Sequence, residues 1–350
     1  MKNIEKYVVL PEMTLLEALQ KMDALRVKSL FIMKNDTFHG LLTIGDLQRA
    51  IIAKRPFESP VIDLIDNAKK SYAKVGDSID DIKEYMLKYR AEYMPVLDER
   101  GNLKEVLSWG ELFPGKNIER SPLHIPVVIM AGGKGTRLRP ITNILPKPLI
   151  PVGDKTMAEE IMDRFIRIGC DRFYMSVNYK SNVIRFYLNQ FREKYNIEFF
   201  EEDQPLGTIG SVSLLKGKFN TPFFVTNCDN LIDRDFRDVY EYHVDNHNEL
   251  TIVTAVKSIK IPYGVIETRE DGLLTGIREK PETTFMINTG VYILNPELMN
   301  EIPDNQFFHV TDLMAKIKAR GGRIGCFPVG EKAWQEMGEW PEYLKMIHVL

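Results

Sequence analysis

"VVIMAGGKGTRLRPITNILPKPLIPVGDK", Val127 to Lys155, decides how this chain is read. Four apolar residues open into Ala131, Gly132, Gly133 and Gly135; Arg137, Arg139 and then Lys147, set between two prolines, follow. A short unbroken apolar run is the pattern of a strand buried on both faces. Glycines let the next turn adopt unusual dihedrals and approach a ligand closely. Exposed amides on such a turn, beside Lys134, Arg137 and Arg139, suit phosphate oxygens. The spacing is not that of a P-loop, which needs four residues between its first glycine and a Gly-Lys-Ser/Thr. It is not a dinucleotide fingerprint either, because Leu138 stands where the third glycine belongs. Pro140, Pro146, Pro148 and Pro151 oppose a prompt helix start, so the segment is predicted to run extended through Lys147.

Bulk properties narrow the setting. At 350 residues the length suits about two domains, and 44% hydrophobic residues are enough for a sizeable core. With 46 basic and 49 acidic residues the net charge is −3 and no basic block stands out, which argues against nucleic acid or an anionic membrane as partner. Apolar runs are strand-length, and the N-terminal "MKNIEKYVVLPEM" lacks a signal-peptide core. Three scattered cysteines, Cys170, Cys228 and Cys326, fit neither a disulfide framework nor a zinc site. The expectation is a soluble, cytoplasmic α/β protein.

A boundary is expected near residues 115–125, where Pro114, Gly115, Pro122 and Pro126 punctuate a polar stretch. Before it lies a duplication. "PEMTLLEALQKM" (Pro11–Met22) and "VGDSIDDIKEYM" (Val75–Met86) match at an offset of 64, each with Thr or Ser ahead of an amphipathic helix pattern. The same offset pairs Arg26 with Arg90 and "SLFIM" with "YMPVL". Turns follow, at Asn35-Asp36 and at Glu99–Asn102, and then "GLLTIGDLQRAI" matches "EVLSWGELF" at an offset of 65. Each copy reads as helix, strand, turn, strand, helix. Neither is long enough for a good core alone, so the two are expected to pack together.

This first part, residues 1–118, resembles a tandem pair of CBS domains. The resemblance places Thr43 and Asp46 of "GLLTIGDL" against the phosphate and ribose of a regulatory nucleotide. Ser108 and Glu111 stand at the matching positions of the second copy. Helix capping is the alternative reading of Thr43 and Asp46. A self-pairing module of this kind implies a homo-oligomer.

After the linker at 119–125, residues 126–350 resemble the sugar-1-phosphate nucleotidylyltransferases, whose signature matches "AGGKGTRLRPIT" and "PKPLIPVGDK". The resemblance implies a Rossmann-like, GT-A-like mixed-sheet α/β domain that joins a nucleoside triphosphate to a sugar 1-phosphate. That reaction brings two anions together, so it calls for cations, a metal and positioning. By resemblance, Arg137 holds the β- and γ-phosphates, Lys147 lies near the α-phosphate, and Ala131, Gly132, Gly133, Gly135 and Thr136 cradle the nucleotide. "EEDQPLGTIGSV" resembles the family's "PLGTAG" stretch and brings Gly207 and Thr208 to the nucleoside. Asp229, at the end of "FFVTNCDN", matches the family's Mg2+ ligand; a hard cation wants oxygen donors. Gly264 of "YGVIE", Glu279 and Lys280 of "REKPE", and Asn288 and Thr289 of "INTGVYILNP" match sugar-phosphate contacts. "AWQEMGEWPEYLKM" resembles "W-x-D-x-G-x-P-x-x-Y", with Glu336 in place of the second metal-binding aspartate.

The whole arrangement resembles the CBS-containing guanylyltransferases that activate glucosamine 1-phosphate for legionaminic acid synthesis, which implies GTP as nucleotide. Guanine presents N1–H and N2–H2 donors, and Glu202, Asp203 and Gln204 are nearby acceptors; Gln204 also suits uracil or thymine. Mannose 1-phosphate guanylyl transfer and glucose 1-phosphate uridylyl or thymidylyl transfer are the alternatives within the class. A non-catalytic nucleotide-sugar sensor is the alternative outside it.

Overall fold

The computed structural model describes residues 5–35, 37–65, 72–89, 91–114 and 121–347. Asp36, Arg90 and residues 115–120, where the linker begins, lie outside the described residues. The chain divides into two units, Met1–Arg120 and Ser121–Leu350.

The first unit repeats one motif. Strand β1 (Val8–Val9), helix α1 (Leu15–Leu25), strands β2 (Ser29–Lys34) and β3 (Thr37–Thr43) and helix α2 (Ile44–Ile52) form the first copy. Strand β4 (Ala73–Lys74), helix α3 (Ile79–Tyr89), strands β5 (Tyr93–Leu97) and β6 (Leu103–Ser108) and helix α4 (Trp109–Leu112) form the second. Both sheets place a short leading strand parallel to the second strand, a pairing absent from the sequence expectation because two residues carry no period. Both hairpins shift register at equivalent places, between Ile32 and Met33 and between Val96 and Leu97. The copies share a core: Phe31, Phe38 and Leu97 cluster, and Tyr93 sets its ring edge-on to Phe31 at 6.0 Å.

In the second unit, β7 (Val127–Met130) is followed by the small hairpin β8 (Pro151–Val152) and β9 (Lys155–Thr156), then helix α5 (Met157–Ile166) and strand β10 (Arg172–Val177). Helix α6 (Ser181–Leu188), strands β11 (Asn196–Glu201), β12 (Phe223–Asn227) and β13 (Asn230–Ile232), and helix α7 (Phe236–Asp245) come next. Strands β14 (Leu250–Lys260), β15 (Val265–Thr268), β16 (Leu274–Arg278) and β17 (Glu282–Leu294) lead to helix α8 (Val310–Ala319), strands β18 (Ile324–Gly330) and β19 (Trp334–Glu336), and helix α9 (Trp340–Ile347).

The main sheet has the order β11-β10-β7-β12-β17-β14-β18. The first four strands are mutually parallel, and β17 runs antiparallel to both β12 and β14. Alternate side chains feed opposite faces, as the strand period requires. Val127, Ile129 and Phe224 pack into one core; Val128, Phe223 and Val225 pack into the other. This is the double burial implied by the unbroken apolar runs. The chain leaves β7 toward β10 on one side and returns to β12 on the other, so a crevice opens beyond the carboxyl ends of β7 and β12, where ligands gather in such sheets.

Helix α5 is fixed by a capping box: Glu159 N donates to Thr156 Oγ1 at 3.3 Å, and Thr156 N donates to Glu159 Oε2 at 2.9 Å. On the same helix, Asp163 accepts from Lys155 Nζ at 2.6 Å, Lys194 Nζ at 2.8 Å and Tyr195 Oη at 2.8 Å. Burial acts to raise its pKa, but these three donors prevail and hold the carboxyl down at about 2, against 3.8 for a free aspartate. A depressed folded-state pKa stabilises the fold above the unfolded value, and the benefit disappears as pH falls from about 4 toward 2. Asp163→Asn is therefore expected to lower stability by about 1–2 kcal/mol at neutral pH, with the difference from wild type vanishing near pH 2. Urea unfolding of both proteins across that range checks it; a deficit that persists unchanged at low pH would contradict the assignment.

Candidate functional site

The carboxyl ends of the four parallel strands carry the glycine loop, Glu202 and Asp229 to one edge of the sheet. Ala131 N donates to both the carbonyl and the hydroxyl of Ser176, each at 3.1 Å, which pins the start of the loop. Gly135 has φ +62, and a Cβ there would stand 2.9 Å from Thr142 Cγ2. Gly132 is required for a different reason: its missing Cβ leaves room for the Glu202 carboxylate, whose atoms lie 2.9–3.1 Å from where that carbon would be. Gly133 faces open space and Thr136 is exposed. Beyond the loop the chain is not extended. It coils through 3-10 turns at Thr136–Leu138, Ile141–Asn143 and Lys147–Leu149, because the proline φ is also compatible with the first positions of a tight helical turn.

Charged groups converge at Asp229, two residues beyond β12 and only 6% exposed. Lys147 Nζ donates to Asp229 Oδ2. Arg137 Nη1 donates to Glu339 Oε1 at 2.7 Å, and Arg137 Nη2 faces Glu336 Oε1 at 3.6 Å. Strand β19 delivers Glu336 by pairing antiparallel with β13, where Asn230 stands opposite Glu336. Met337 N closes the join onto Asp229 O at 2.8 Å. Burial raises the Glu336 pKa and the Asp229 charge adds to this, while Arg137 and Lys147 oppose it. The hydrogen bond that Arg137 donates to Glu339 raises the pKa of Arg137.

Gly338 lies at the centre of this cluster. A Cβ there would be 2.8 Å from Asp229 Oδ2, 2.9 Å from Glu336 Oε1 and 3.1 Å from Arg137 Nη2. The two carboxylate oxygens thus converge on one small cradle that a side chain would fill. Mg2+ is commonly held by one or two carboxylates together with substrate phosphates and water, and the donor pair fits that habit. No group of three or more His, Cys, Asp or Glu able to hold a metal occurs among the described residues.

The residues expected to meet the sugar phosphate flank β15 and β16 or lie on β17. A Cβ on Gly264 would stand 3.0 Å from Glu279 Oε2, and Glu279, Lys280 and Asn288 are exposed. Lys280 has φ +43 immediately before Pro281, a combination that costs backbone energy and occurs where the surroundings impose it. Asn288 Oδ1 accepts from Gly290 N at 3.0 Å. Thr289 does not join them: it is buried, and its hydroxyl donates to Val253 O at 2.8 Å within the sheet. Thr208 Oγ1 likewise accepts from Val310 N at 2.9 Å, tying Gly207-Thr208 to the start of α8. Gln204 is exposed and donates to Asn305 O at 3.0 Å. Gly338 and Glu339 were not singled out from sequence; their signal was the glycine between two acids in "EMGE".

In the first unit, Thr43 and Asp46 form a capping box for α2: Thr43 N donates to Asp46 Oδ2 at 2.8 Å, and Asp46 N donates to Thr43 Oγ1 at 3.3 Å. They do not line the unit's cleft of about 1980 Å3, whose walls include Tyr7, Tyr72, Tyr93, Ser108 and Glu111. The roomy face is that of the second copy.

Comparison with known proteins places the second unit in a family. Residues 126–349 match the nucleotidyl transferase family, and residues 3–53 match the CBS domain. A mannose-1-phosphate guanyltransferase of Yarrowia lipolytica is 39% identical over 226 residues, covering 62% of this chain and 61% of that protein. One from Aspergillus oryzae is 33% identical over 227 residues, covering 62% of each. The chain thus spans less than two thirds of the length of these relatives. Among solved structures, HddC from Yersinia pseudotuberculosis is 25% identical, with a TM-score of 0.51 over 64% of this chain and 99% of that one. With the family matched across more than half of its length, and with a CBS domain at its N-terminus, this chain belongs to the nucleotidyl transferase family.

Proposed function

We propose that the protein is a sugar-1-phosphate guanylyltransferase, forming a GDP-sugar and pyrophosphate from GTP and a sugar 1-phosphate. The observation that carries the guanine reading is Glu202: 6% exposed, set against Gly132 of the loop, and contacted otherwise by Leu206 N at a long 3.4 Å. An ionised carboxylate only accepts hydrogen bonds, and guanine's N1–H and N2–H2 offer two adjacent donors. Uracil and thymine offer one donor on that edge, so the same carboxylate would face a carbonyl oxygen. Naming of the relatives as guanyltransferases supports this choice.

A phosphate oxygen of the sugar 1-phosphate attacks the α-phosphorus of GTP, and the bond to the bridging oxygen of the leaving pyrophosphate breaks. Lys147 holds the α-phosphate, and Arg137 holds the β- and γ-phosphates as charge develops on the leaving group. Asp229 and Glu336 would hold Mg2+, which when bound screens the phosphates from one another. Lys280 takes the sugar phosphate and Glu279 accepts from sugar hydroxyls, with Gly264 and Asn288 beside them. The acceptor placed first is glucosamine 1-phosphate, on the pairing of a CBS module with a guanylyltransferase unit. Mannose 1-phosphate is the second reading, favoured by the names of the relatives.

The test is pyrophosphate release with Mg2+, using GTP, UTP, dTTP, CTP and ATP against glucosamine, N-acetylglucosamine, mannose and glucose 1-phosphates. Release with GTP and either glucosamine or mannose 1-phosphate supports the reading and chooses the sugar. Release with another base corrects it. Silence across the grid from folded protein favours a sensor of nucleotide sugars.

A further inference from the structure

Lys147 and Asp229 are each assigned to substrate or metal in the proposed reaction, yet the structure pairs them with each other. Their side chains are 13% and 8% exposed, so water screens the pair poorly. The Asp229 oxygen that accepts from Lys147 is Oδ2, the same oxygen that converges with Glu336 Oε1 on the cradle above Gly338. On its other side, Asp229 Oδ1 lies 3.5 Å from the Asn230 amide nitrogen, a donor. Glu336, the remaining carboxylate, faces Arg137 at 3.6 Å. Each anion that would hold a metal therefore already has a cation beside it.

An ammonium and a divalent cation cannot both sit close against one oxygen without strong repulsion. A triphosphate resolves the conflict by offering Lys147 and Arg137 new anionic partners and by supplying the further oxygens that a two-carboxylate site lacks. We propose that Lys147 caps Asp229 before nucleotide binds, so that the metal enters with the triphosphate and not ahead of it. This rests on the reading of the site as a nucleotidyl-transfer centre. It adds that the metal site does not exist independently of the nucleotide, and that the amine passes from carboxylate to phosphate as the complex forms.

The experiment follows Mn2+ by electron paramagnetic resonance, titrating the full chain with Mn2+ alone and with Mn2+ plus GTP. Wild type is expected to bind Mn2+ with GTP and at least about tenfold more weakly without it. Lys147→Gln removes the competing charge and is expected to bind Mn2+ alone about tenfold or more tightly than wild type does. Lys147→Arg keeps a cation at the position and is expected to stay as weak as wild type, which separates charge from packing. Equal Mn2+ affinity in wild type and Lys147→Gln, with Mn2+ and GTP still binding together to wild type, would overturn the capping role alone. Failure of wild type to bind Mn2+ with GTP would overturn the reading of the site and the capping role with it.

Discussion

Asp229→Asn is expected to lower kcat by roughly 10²- to 10³-fold at saturating Mg2+, the scale of losing one preorganised electrostatic group from a transition state. Asparagine keeps the shape and one oxygen but removes the anion that the metal and Lys147 both address. Its effect should fall on the chemical step and on metal affinity more than on the KM for sugar phosphate, for which Glu279 and Lys280 are the proposed contacts. The substitution also leaves Lys147 without its counter-charge, and breaking a buried pair costs up to about 3–5 kcal/mol. Assays belong well below the measured unfolding midpoint for that reason. Activity within tenfold of wild type would remove Asp229 from the metal role.

Glu202→Gln is the second large effect, and it is one of sign as well as size. Glutamine turns an amide donor toward guanine N1–H or N2–H2, leaving donors face to face in a site from which water is largely excluded. The kcat/KM for GTP should fall about 10- to 100-fold. Uracil and thymine present one donor and one acceptor, which a glutamine amide satisfies, so UTP or dTTP should gain. Gln204→Ala is the comparison: its side chain is exposed with the amide nitrogen donating to Asn305 O, and a base preference unchanged by its loss would leave Glu202 as the group that reads the base. A nucleotide profile unaltered by Glu202→Gln would place base recognition elsewhere.

The parts of the fold visible in the sequence were those with a strong local pattern. The unbroken apolar runs of β7 and β12 announced a doubly covered sheet, and the duplicated helix–strand spacing announced two copies of one motif. The glycine loop was visible as a loop, but the separate reasons for Gly132 and Gly135 were not. One depends on Glu202, seventy residues away, and the other on Thr142. Distant contacts likewise decided Thr208 and Thr289, whose hydroxyls serve α8 and the sheet. Thr43 and Asp46 illustrate the opposite case: a capping box is legible from spacing alone, and that is where the structure puts them. The pairing of Lys147 with Asp229, and the crowding around Gly338, joined segments that no local pattern relates.

The pairing of β13 with β19 sets a schedule for synthesis. Asn230 accepts from Trp334 Nε1 across 104 residues of chain, and Glu336 reaches the cluster only through that ladder. A ribosome that has made the glycine loop, Lys147 and Asp229 has therefore produced most of the proposed nucleotide site but not the second carboxylate or the Gly338 cradle. Completion of the charged cluster waits for β19 to emerge and pair with β13, so the proposed nucleotidyl transfer would not begin on a chain that still lacks that strand.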